Sequence, residues 1–204
     1  MINATMSGLN AKAREVIKLN EPDMSRPVTM MQAFAQRHSE RAFAPEMLTD
    51  QDLSDLLWAA DGINRPDGHR TAPSGMNAHD IDIYLLTTEG AYLFNPAEKC
   101  LTLVAEGDHR ALIRGPQPDF PLPAVAFVMT TTPSRFNFPD AHLAEVMGNV
   151  DAGIISQNIS LFCGGAGLAN VPRVSMDYPG LAALLRLPAG TTPVINNCVG
   201  YPAR

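Results

Sequence analysis

The sequence predicts an α+β fold in which helices flank a central, mainly antiparallel sheet. Two observations predict this class. Strand-like and helix-like segments alternate irregularly along the chain, whereas a doubly wound parallel sheet would need a regular alternation. The strand-like segments at residues 81–86 and 91–94 are joined through a turn-like Glu89-Gly90 pair, and a connection this short joins antiparallel strands.

The N-terminal part is expected to be an arm, followed by one domain. Residues 1–26 are polar and show no hydrophobic period, so we interpret them as an arm or loosely packed extension. Residues 27–204 contain neither an internal repeat nor a linker and form a single predicted domain. Within it, Pro27 and the helical spacing of apolar residues in 30–35 predict a first helix that leads into Arg37.

A second helix is predicted between a capping pattern at residues 49–52 and a stop at Gly62. Its apolar residues lie on one face: Leu53, Leu56, Leu57 and Ala60. Residues 62–80 are rich in Gly, Pro, Asn, Asp and Arg and predict a long loop, and long loops inside compact domains are often functional.

The remaining short elements follow from alternation and composition. They are strands at 101–104, 124–129 and 193–199, a short helix at 109–114 and a helix at 178–187. Residues 124–129 are almost entirely apolar, which is typical of a central strand that is buried on both faces.

A long helix is predicted from about residue 140 to residue 168. It is apolar over much of its surface and rich in small residues, so it should be buried on more than one side. A dimer interface and a central core helix both fit this pattern. Gly164, Gly165 and Gly167 are expected to end the helix, with Gly167 as a C-cap.

Composition restricts the class of function. Hydrophobic residues make up 46% of the 204-residue chain, which is enough for a sizeable core. The net charge of −6 argues against a nucleic-acid partner, because such a protein needs cations against phosphate. No apolar run approaches a membrane span and the N-terminus has no signal-like core, so we expect a cytoplasmic protein without a membrane partner. The three cysteines match no zinc spacing, and no metal site is expected.

Residues 37–41 (Arg-His-Ser-Glu-Arg) are the first candidate site. Two guanidinium groups and a hydroxyl lie within five residues, directly after a predicted helix. Arginine offers planar donors that suit phosphate oxygens or the carbonyl edge of a ring. The alternative interpretation is an exposed, charged helix end without a ligand.

Two further segments could contribute. Residues 70–77 end the long loop, where Gly75 permits close approach of a ligand and Asn77 can both donate and accept; an ordinary turn before a strand is the alternative. Residues 164–175 are glycine-rich, but they follow a helix, so they are no dinucleotide-binding fingerprint. The sequence contains no P-loop, no GxSxG and no HExxH pattern.

Four motifs, in this order and spacing, resemble the FMN-dependent nitroreductase family. They are RHSERAF at 37–43, PSGMNAHDIDIYLL at 73–86, the long helix and the segment after it at 148–173, and CVGYP at 198–202. The resemblance covers roughly residues 28–204. It implies a nitroreductase-like fold in an intertwined homodimer, with an FMN site shared by the two subunits and the long helix in their interface.

The resemblance also implies the role of each residue of the first motif. Arg37 would contact the FMN phosphate, and His38 would face the cofactor largely through its backbone. Ser39 would bind near the phosphate or the ribityl chain, and Arg41 would reach the pyrimidine side of the ring. Arg204, close behind the Gly-Tyr-Pro motif, would take the place of a basic segment that grips the phosphate in the family, unless Arg70 compensates.

The other motifs supply the rest of the implied site. Ser74, Met76 and Asn77 would contact the flavin from the partner subunit. Pro172 to Ser175 would lie along the isoalloxazine, with a backbone N–H of Val174 or Ser175 near N5. No side chain is expected to act as a catalytic acid or base, because the flavin supplies the reactive atom.

The activity that the resemblance implies is hydride transfer from NADH or NADPH, through flavin N5, to a small acceptor such as a nitroaromatic or a quinone. Three alternatives stay open. They are a flavin oxidase or dehydrogenase that acts on another small molecule, a flavin carrier or regulator without turnover, and an interaction module without flavin. Residues 63–74 also resemble a loop of the peptide-azoline oxidase branch, which leaves the substrate open.

Overall fold

A computed structural model describes residues 13–203 and shows one seven-stranded sheet with four α-helices. The strand order is β1-β4-β3-β2-β5-β7-β6, and every pairing in it is antiparallel. The α+β prediction is therefore confirmed. The strands are β1 Val16–Lys18, β2 Ile81–Leu86, β3 Gly90–Asn95, β4 Cys100–Glu106, β5 Val125–Thr131, β6 Ala169–Arg173 and β7 Thr192–Gly200; the helices are α1 Met30–Gln36, α2 Asp50–Asp61, α3 Ala141–Ala166 and α4 Tyr178–Leu184.

The sheet separates two apolar cores because its central strands β2 and β5 are buried on both faces. Ile83 and Phe127 point into the core that α2 and α3 cover, whereas Leu86 and Val128 point into the core on the opposite face. Alternating side chains of one strand face opposite sides of a sheet, so an apolar strand of this kind serves both cores. The strand at 124–129 is thereby confirmed as a central one.

The helix ends follow local side-chain chemistry. The hydroxyls of Thr29 and Thr49 accept the N–H of the third helical residue of α1 and α2, and the Asp140 carboxylate does the same for α3. Gly62 ends α2, and Gly167, in the left-handed conformation, ends α3. The start and end of α2, the start of α3 and the cap at Gly167 agree with the sequence prediction, whereas α1 begins at Met30 and not at Pro27.

Three elements differ from the sequence prediction. β1 lies inside the segment assigned to the arm, where it pairs with β4 at one edge of the sheet. β6 occupies part of the glycine-rich segment and forms the other edge. The helix α3 continues through Gly164, whose missing Cβ would lie 2.9 Å from the backbone of Arg37, so this glycine allows α1 to pack closely rather than ending α3.

Within residues 13–203, no helix combines the length and the apolar character that a membrane crossing requires.

Candidate functional site

Residues 37–41 run from the end of α1 along the outer edge of β6. The Glu40 N–H donates to the carbonyl oxygen of Asn170 at 2.9 Å, which attaches the segment to the strand. The Glu40 carboxylate accepts the N–H groups of Arg41 at 2.7 Å and Ala42 at 2.8 Å, and these bonds lower its pKa. Sequence reasoning missed this role of Glu40. Its effect is to fix the turn in which Ser39 and Arg41 are exposed.

The side-chain donors of this segment are left open. Within residues 13–203, Arg37, Ser39 and Arg41 form neither a side-chain hydrogen bond nor an ion pair. Arg37 is half-buried, and the other two side chains are exposed. His38 differs from them because its Nδ1 lies 2.7 Å from the carbonyl oxygen of Gln36. Two guanidinium groups and a hydroxyl without partners form a donor set that fits a phosphate or the carbonyl edge of a ring.

Residues 172–175 follow directly on the same strand. β6 ends at Arg173, and the buried amide of Asn196 donates to the carbonyl oxygens of Arg173 at 2.9 Å and Ser175 at 3.2 Å. The Tyr178 hydroxyl donates to the carbonyl oxygen of Val174 at 2.6 Å. In the described chain, the N–H groups of Val174 and Ser175 find no acceptor. Their carbonyl oxygens are hydrogen-bonded, and their N–H donors remain available.

The structure therefore brings the first and third sequence motifs together. Glu40 is bonded to Asn170, and Ser175 lies five residues further along, about 16 Å at the rise of a strand. Asn196, which orients the end of β6, was not recognised in the sequence, since an asparagine in a strand carries no signal of its own. Arg204 lies outside the described residues, but the Ala203 N–H donates to the carbonyl oxygen of Ala42, so the chain before it runs beside this segment.

The loop at 74–79 has a different construction. Met76, Asn77 and His79 are non-glycine residues with φ angles of 54°, 56° and 48°. The side chain of Met76 is 72% exposed, and Asn77 is also exposed. The Gly75 N–H donates to the Asp151 carboxylate of α3 at 2.9 Å, and the His79 N–H donates to the Ser74 hydroxyl at 2.9 Å. The loop thus presents two side chains outward on a strained backbone.

Buried charges lie beneath this loop. Asp61 at the end of α2 forms an ion pair with Arg70, yet burial outweighs the guanidinium and raises the pKa of Asp61 to about 6. Burial, with help from Arg70, lowers the pKa of His79. Asp80, directly before β2, and Asp151 are also buried. The Arg70 side chain is already paired with Asp61, so it is poorly suited to bind the phosphate in place of Arg204.

The loop at 74–79 and the segment at 37–41 do not meet within one chain. Gly75 is bonded to Asp151, whereas Arg37 packs against Gly164. Asp151 and Gly164 are thirteen positions apart in α3, which corresponds to about 20 Å of α-helix. The structure therefore places the predicted site residues in two groups near the two halves of α3.

An apolar band is exposed on α1 and α3. Val150 of α3 is 55% exposed, and its neighbours on this face of the helix are Leu143 and Val146. A Cβ at Gly153 would meet open space. On α1, Met30, Met31 and Phe34 are exposed as well. Exposed apolar residues grouped on one helix face are typical of a protein interface.

A cavity of about 470 Å³ opens between the C-terminal end of α3 and residues 38 and 40. Its lining includes the last turn of α3 and the Glu40 carboxylate. The carbonyl end of a helix and a carboxylate are both unfavourable for an anion. This cavity is therefore a poor phosphate site, and the open donors of Arg37, Ser39 and Arg41 are the better one.

Comparison with known proteins agrees with this architecture. The sequence model of the nitroreductase family matches residues 34–201. A candidate nitroreductase from Ralstonia eutropha has a solved structure that superposes with a TM-score of 0.87 at 31% identity, covering 94% of this chain and 91% of that one. No curated protein sequence matches the chain.

Two more distant structures share the fold. The microcin synthetase McbBCD complex of E. coli, with truncated pro-MccB17 bound, matches at 20% identity and a TM-score of 0.70, covering 91% of this chain and 79% of that one. The NADPH:FMN oxidoreductase of Vibrio harveyi, complexed with NAD+, matches at 19% identity and a TM-score of 0.61, covering 86% of this chain and 69% of that one.

Proposed function

The chain belongs to the nitroreductase family, and from this premise we propose that it is an oxidoreductase that binds flavin mononucleotide at a site shared by two copies of the chain. The observation that carries the proposal is the group of open donors beside β6. Arg37, Ser39 and Arg41 have no partner among residues 13–203, and the same holds for the N–H groups of Val174 and Ser175. Unpaired donors gathered along one strand fit a ligand with an anionic end and a polar ring.

Different residues beside β6 would bind different parts of the cofactor. Arg37 and Ser39 would hold the phosphate end, with His38 contributing backbone. Arg41 would face the pyrimidine edge, where a positive charge stabilises the negative charge of the reduced ring. The N–H groups of Val174 and Ser175, beside Pro172, would donate toward N5. Arg204 would add a charge at the phosphate end.

The second copy would supply the loop at 74–77. Within one chain this loop lies about 20 Å along α3 from the Arg37 segment. If two α3 helices pack antiparallel near Gly153 and Gln157, the loop of each copy approaches the Arg37 segment of the other. Such packing would also cover the exposed face around Val150. Ser74, Met76 and Asn77 would then close the site from the partner side.

Bound FMN would accept hydride from NADH or NADPH at N5 and pass it to a small acceptor such as a nitroaromatic or a quinone. The protein's part is positioning and electrostatics. The donors beside β6 fix the ring, and the loop of the second copy limits access to one face. No side chain of the described site is placed as a general acid or base, so protons would come from solvent.

A second candidate is oxidation of another small molecule with dioxygen as acceptor. The observation that favours it is the exposed loop at 64–69, which carries Arg65 and His69 and precedes the loop at 74–79 in the sequence. One structure with this fold is a synthetase complex with a pro-peptide bound. Under this candidate, reduction by NADH or NADPH would be absent although flavin is bound.

The proposal is tested with purified protein and added FMN. We expect a yellow protein that binds FMN stoichiometrically and whose flavin absorbance bleaches on anaerobic addition of NADH or NADPH. A colourless protein that takes up no FMN would contradict the proposal. Binding without bleaching would favour the second candidate, and a screen for small molecules that reduce the bound flavin would then identify the substrate class.

A further inference from the structure

The loop at 74–79 has a backbone conformation that residues with a Cβ seldom adopt. Met76, Asn77 and His79 all adopt positive φ angles, although each carries a Cβ. Strain of this kind persists only where the surrounding structure holds it, and it is concentrated at functional sites. The groups that hold this loop therefore decide where Met76 and Asn77 lie.

Three hydrogen bonds between the loop backbone and side chains hold it. The His79 N–H donates to the Ser74 hydroxyl, which is a bond within the loop. Arg135 donates to the carbonyl oxygen of His79 at 2.8 Å. The third contact joins the Gly75 N–H to Oδ2 of Asp151 at 2.9 Å, and it is the one that connects the loop to the buried helix α3. A carboxylate acceptor makes this the strongest of the backbone bonds.

Asp151 has a second buried carboxyl as its neighbour. Asp80 is fully buried; its Oδ2 accepts the Thr131 hydroxyl at 2.6 Å, and its Oδ1 has no partner among the described residues. Asp151 follows Gly148 by three residues on α3, and after burial its carboxylate contributes to the raised pKa of Asp80. A Cβ at Gly148 would lie 3.0 Å from the Asp80 carboxylate and would collide with Thr131, so the glycine makes room for the pair.

One proton accounts for both observations. Two ionised carboxylates cannot face each other in a buried site without a large cost. A proton on Oδ1 of Asp80, donated to Asp151, gives the open oxygen a partner and leaves the negative charge on Asp151, where the Gly75 N–H donates to it. Burial raises the pKa of Asp80 and the neighbouring Asp151 adds to the rise, while the Thr131 hydroxyl opposes it.

The surrounding charges do not neutralise the pair. Arg70 is bound to Asp61 of α2, and Arg135 is bound to Asp82 of β2. The imidazoles of His69 and His79 lie in the same loop region, and burial lowers the pKa of His79, which keeps it neutral. No three His, Cys, Asp or Glu side chains between residues 13 and 203 are grouped as metal ligands.

We propose that Asp151 and Asp80 are positioning residues that share one proton beneath the loop, so that the Asp151 carboxylate fixes the Gly75 peptide and aims Met76 and Asn77 at the cofactor of the neighbouring copy. This inference rests on the proposed flavin site. The residues act through the loop and touch no ligand themselves.

The test compares three substitutions of Asp151 with a control on the same helix. Asp151→Ala and Asp151→Ser remove the acceptor for the Gly75 N–H. Asp151→Asn keeps an acceptor for Gly75 and offers an amide donor to Asp80, so it should restore the loop. Ser156→Ala removes a different buried hydrogen bond of α3, the one to Asn197, and leaves the loop contacts intact.

Two readouts separate this inference from the proposed function. The first is hydrogen exchange of the peptide that covers residues 74–79 in protein without added flavin. The second is the dissociation constant of FMN. We expect ~10-fold faster loop exchange and ~10-fold weaker FMN binding in Asp151→Ala and Asp151→Ser, the size of one lost hydrogen bond to a charged group. Asp151→Asn and Ser156→Ala should stay within about threefold of the wild type in both readouts.

Each of the other outcomes would contradict a specific part of the proposal. Unchanged loop exchange in Asp151→Ser would overturn the inference, whether or not Asp151→Ala folds. Faster exchange with unchanged FMN affinity would overturn the positioning role. Wild-type protein that binds no FMN would sink the proposed function, while the exchange result would still decide whether Asp151 holds the loop.

Discussion

The two halves of the candidate site are built by opposite strategies. Beside β6, residues 37–41 and 172–175 have no positive φ angle, and the site consists of donors that the fold leaves without partners, such as Arg37 and the N–H of Ser175. In the loop at 74–79, the backbone is strained and buried carboxylates hold it from below. One half of the site therefore attracts a ligand by charge, whereas the other half contributes shape.

The largest effect should come from separating the two halves. Val150→Arg places a charge on the exposed apolar face of α3 and should dissociate the proposed pair of copies, because a charge buried in an interface without a partner is costly. Each monomer would keep only half of each site, and FMN affinity should fall on the order of 100-fold. Size-exclusion chromatography and FMN titration measure both effects.

The control for this prediction is Val16→Arg, a substitution at a comparably exposed valine in the edge strand β1. It should change neither the molecular mass in solution nor the affinity for FMN. A monomeric Val150→Arg protein that binds FMN as tightly as the wild type would break the comparison, since one chain would then hold the entire site.

The next effect tests the half that acts by charge. Arg37→Ala should weaken FMN binding by roughly 1–3 kcal/mol, the range for a lost hydrogen bond to a charged group. The loss should diminish as salt is added, because a charge contact is screened. Isothermal titration at two salt concentrations measures it. Arg186→Gln, at an exposed position outside the site, should leave the affinity unchanged; equal affinities of Arg37→Ala and wild type would show that the phosphate lies elsewhere.

The smallest effect concerns the half held by buried carboxyls, and it appears as pH dependence. The pKa of Asp80 and that of Asp61 are both raised from 3.8 to about 6, mainly by burial. Between pH 3.8 and about 6 the folded protein binds more protons than the unfolded chain. The free energy of unfolding should therefore fall as the pH rises from about 4 to 7. Melting temperatures across this range measure the slope.

Asp80→Asn isolates the contribution of Asp80 to this slope, because the amide imitates the protonated acid. The variant should show a flatter dependence of melting temperature on pH and should retain the part of the slope that belongs to Asp61. Asp119→Asn, at an exposed carboxylate, should reproduce the wild-type slope. A slope unaffected by Asp80→Asn would mean that Asp80 carries no extra proton in the folded state.

The sequence predicted the regular elements well and the tertiary constraints poorly. The central strand at 125–131 and the helix α3 carry strong hydrophobic patterns that remain valid in any context. The edge strands carry no such pattern. β1 has only three residues, and β6 contains Pro172. An edge strand tolerates proline because the missing N–H faces away from the sheet. Such strands depend on a partner strand rather than on their own sequence.

The candidate site shows the same division. The donors of residues 37–41 could be recognised locally, because their residue types lie next to each other. The Asp80–Asp151 pair could not, since its members are 71 residues apart and only the crossing of α3 over β2 brings them together. The 20 Å between the two halves is likewise a property of the length of α3 and not of any motif.

The central claim is that each site takes its charged half from one copy and its loop from the other. The direct test mixes an Arg37→Ala protein with an Asn77→Ala protein after unfolding and refolding them together, and counts high-affinity FMN sites by titration. In a mixed pair, one site would carry both substitutions and the other would carry neither. The account predicts FMN bound with wild-type affinity at one site of each mixed pair. Uniformly weak binding in the mixture, equal to that of the two variants measured alone, would contradict it.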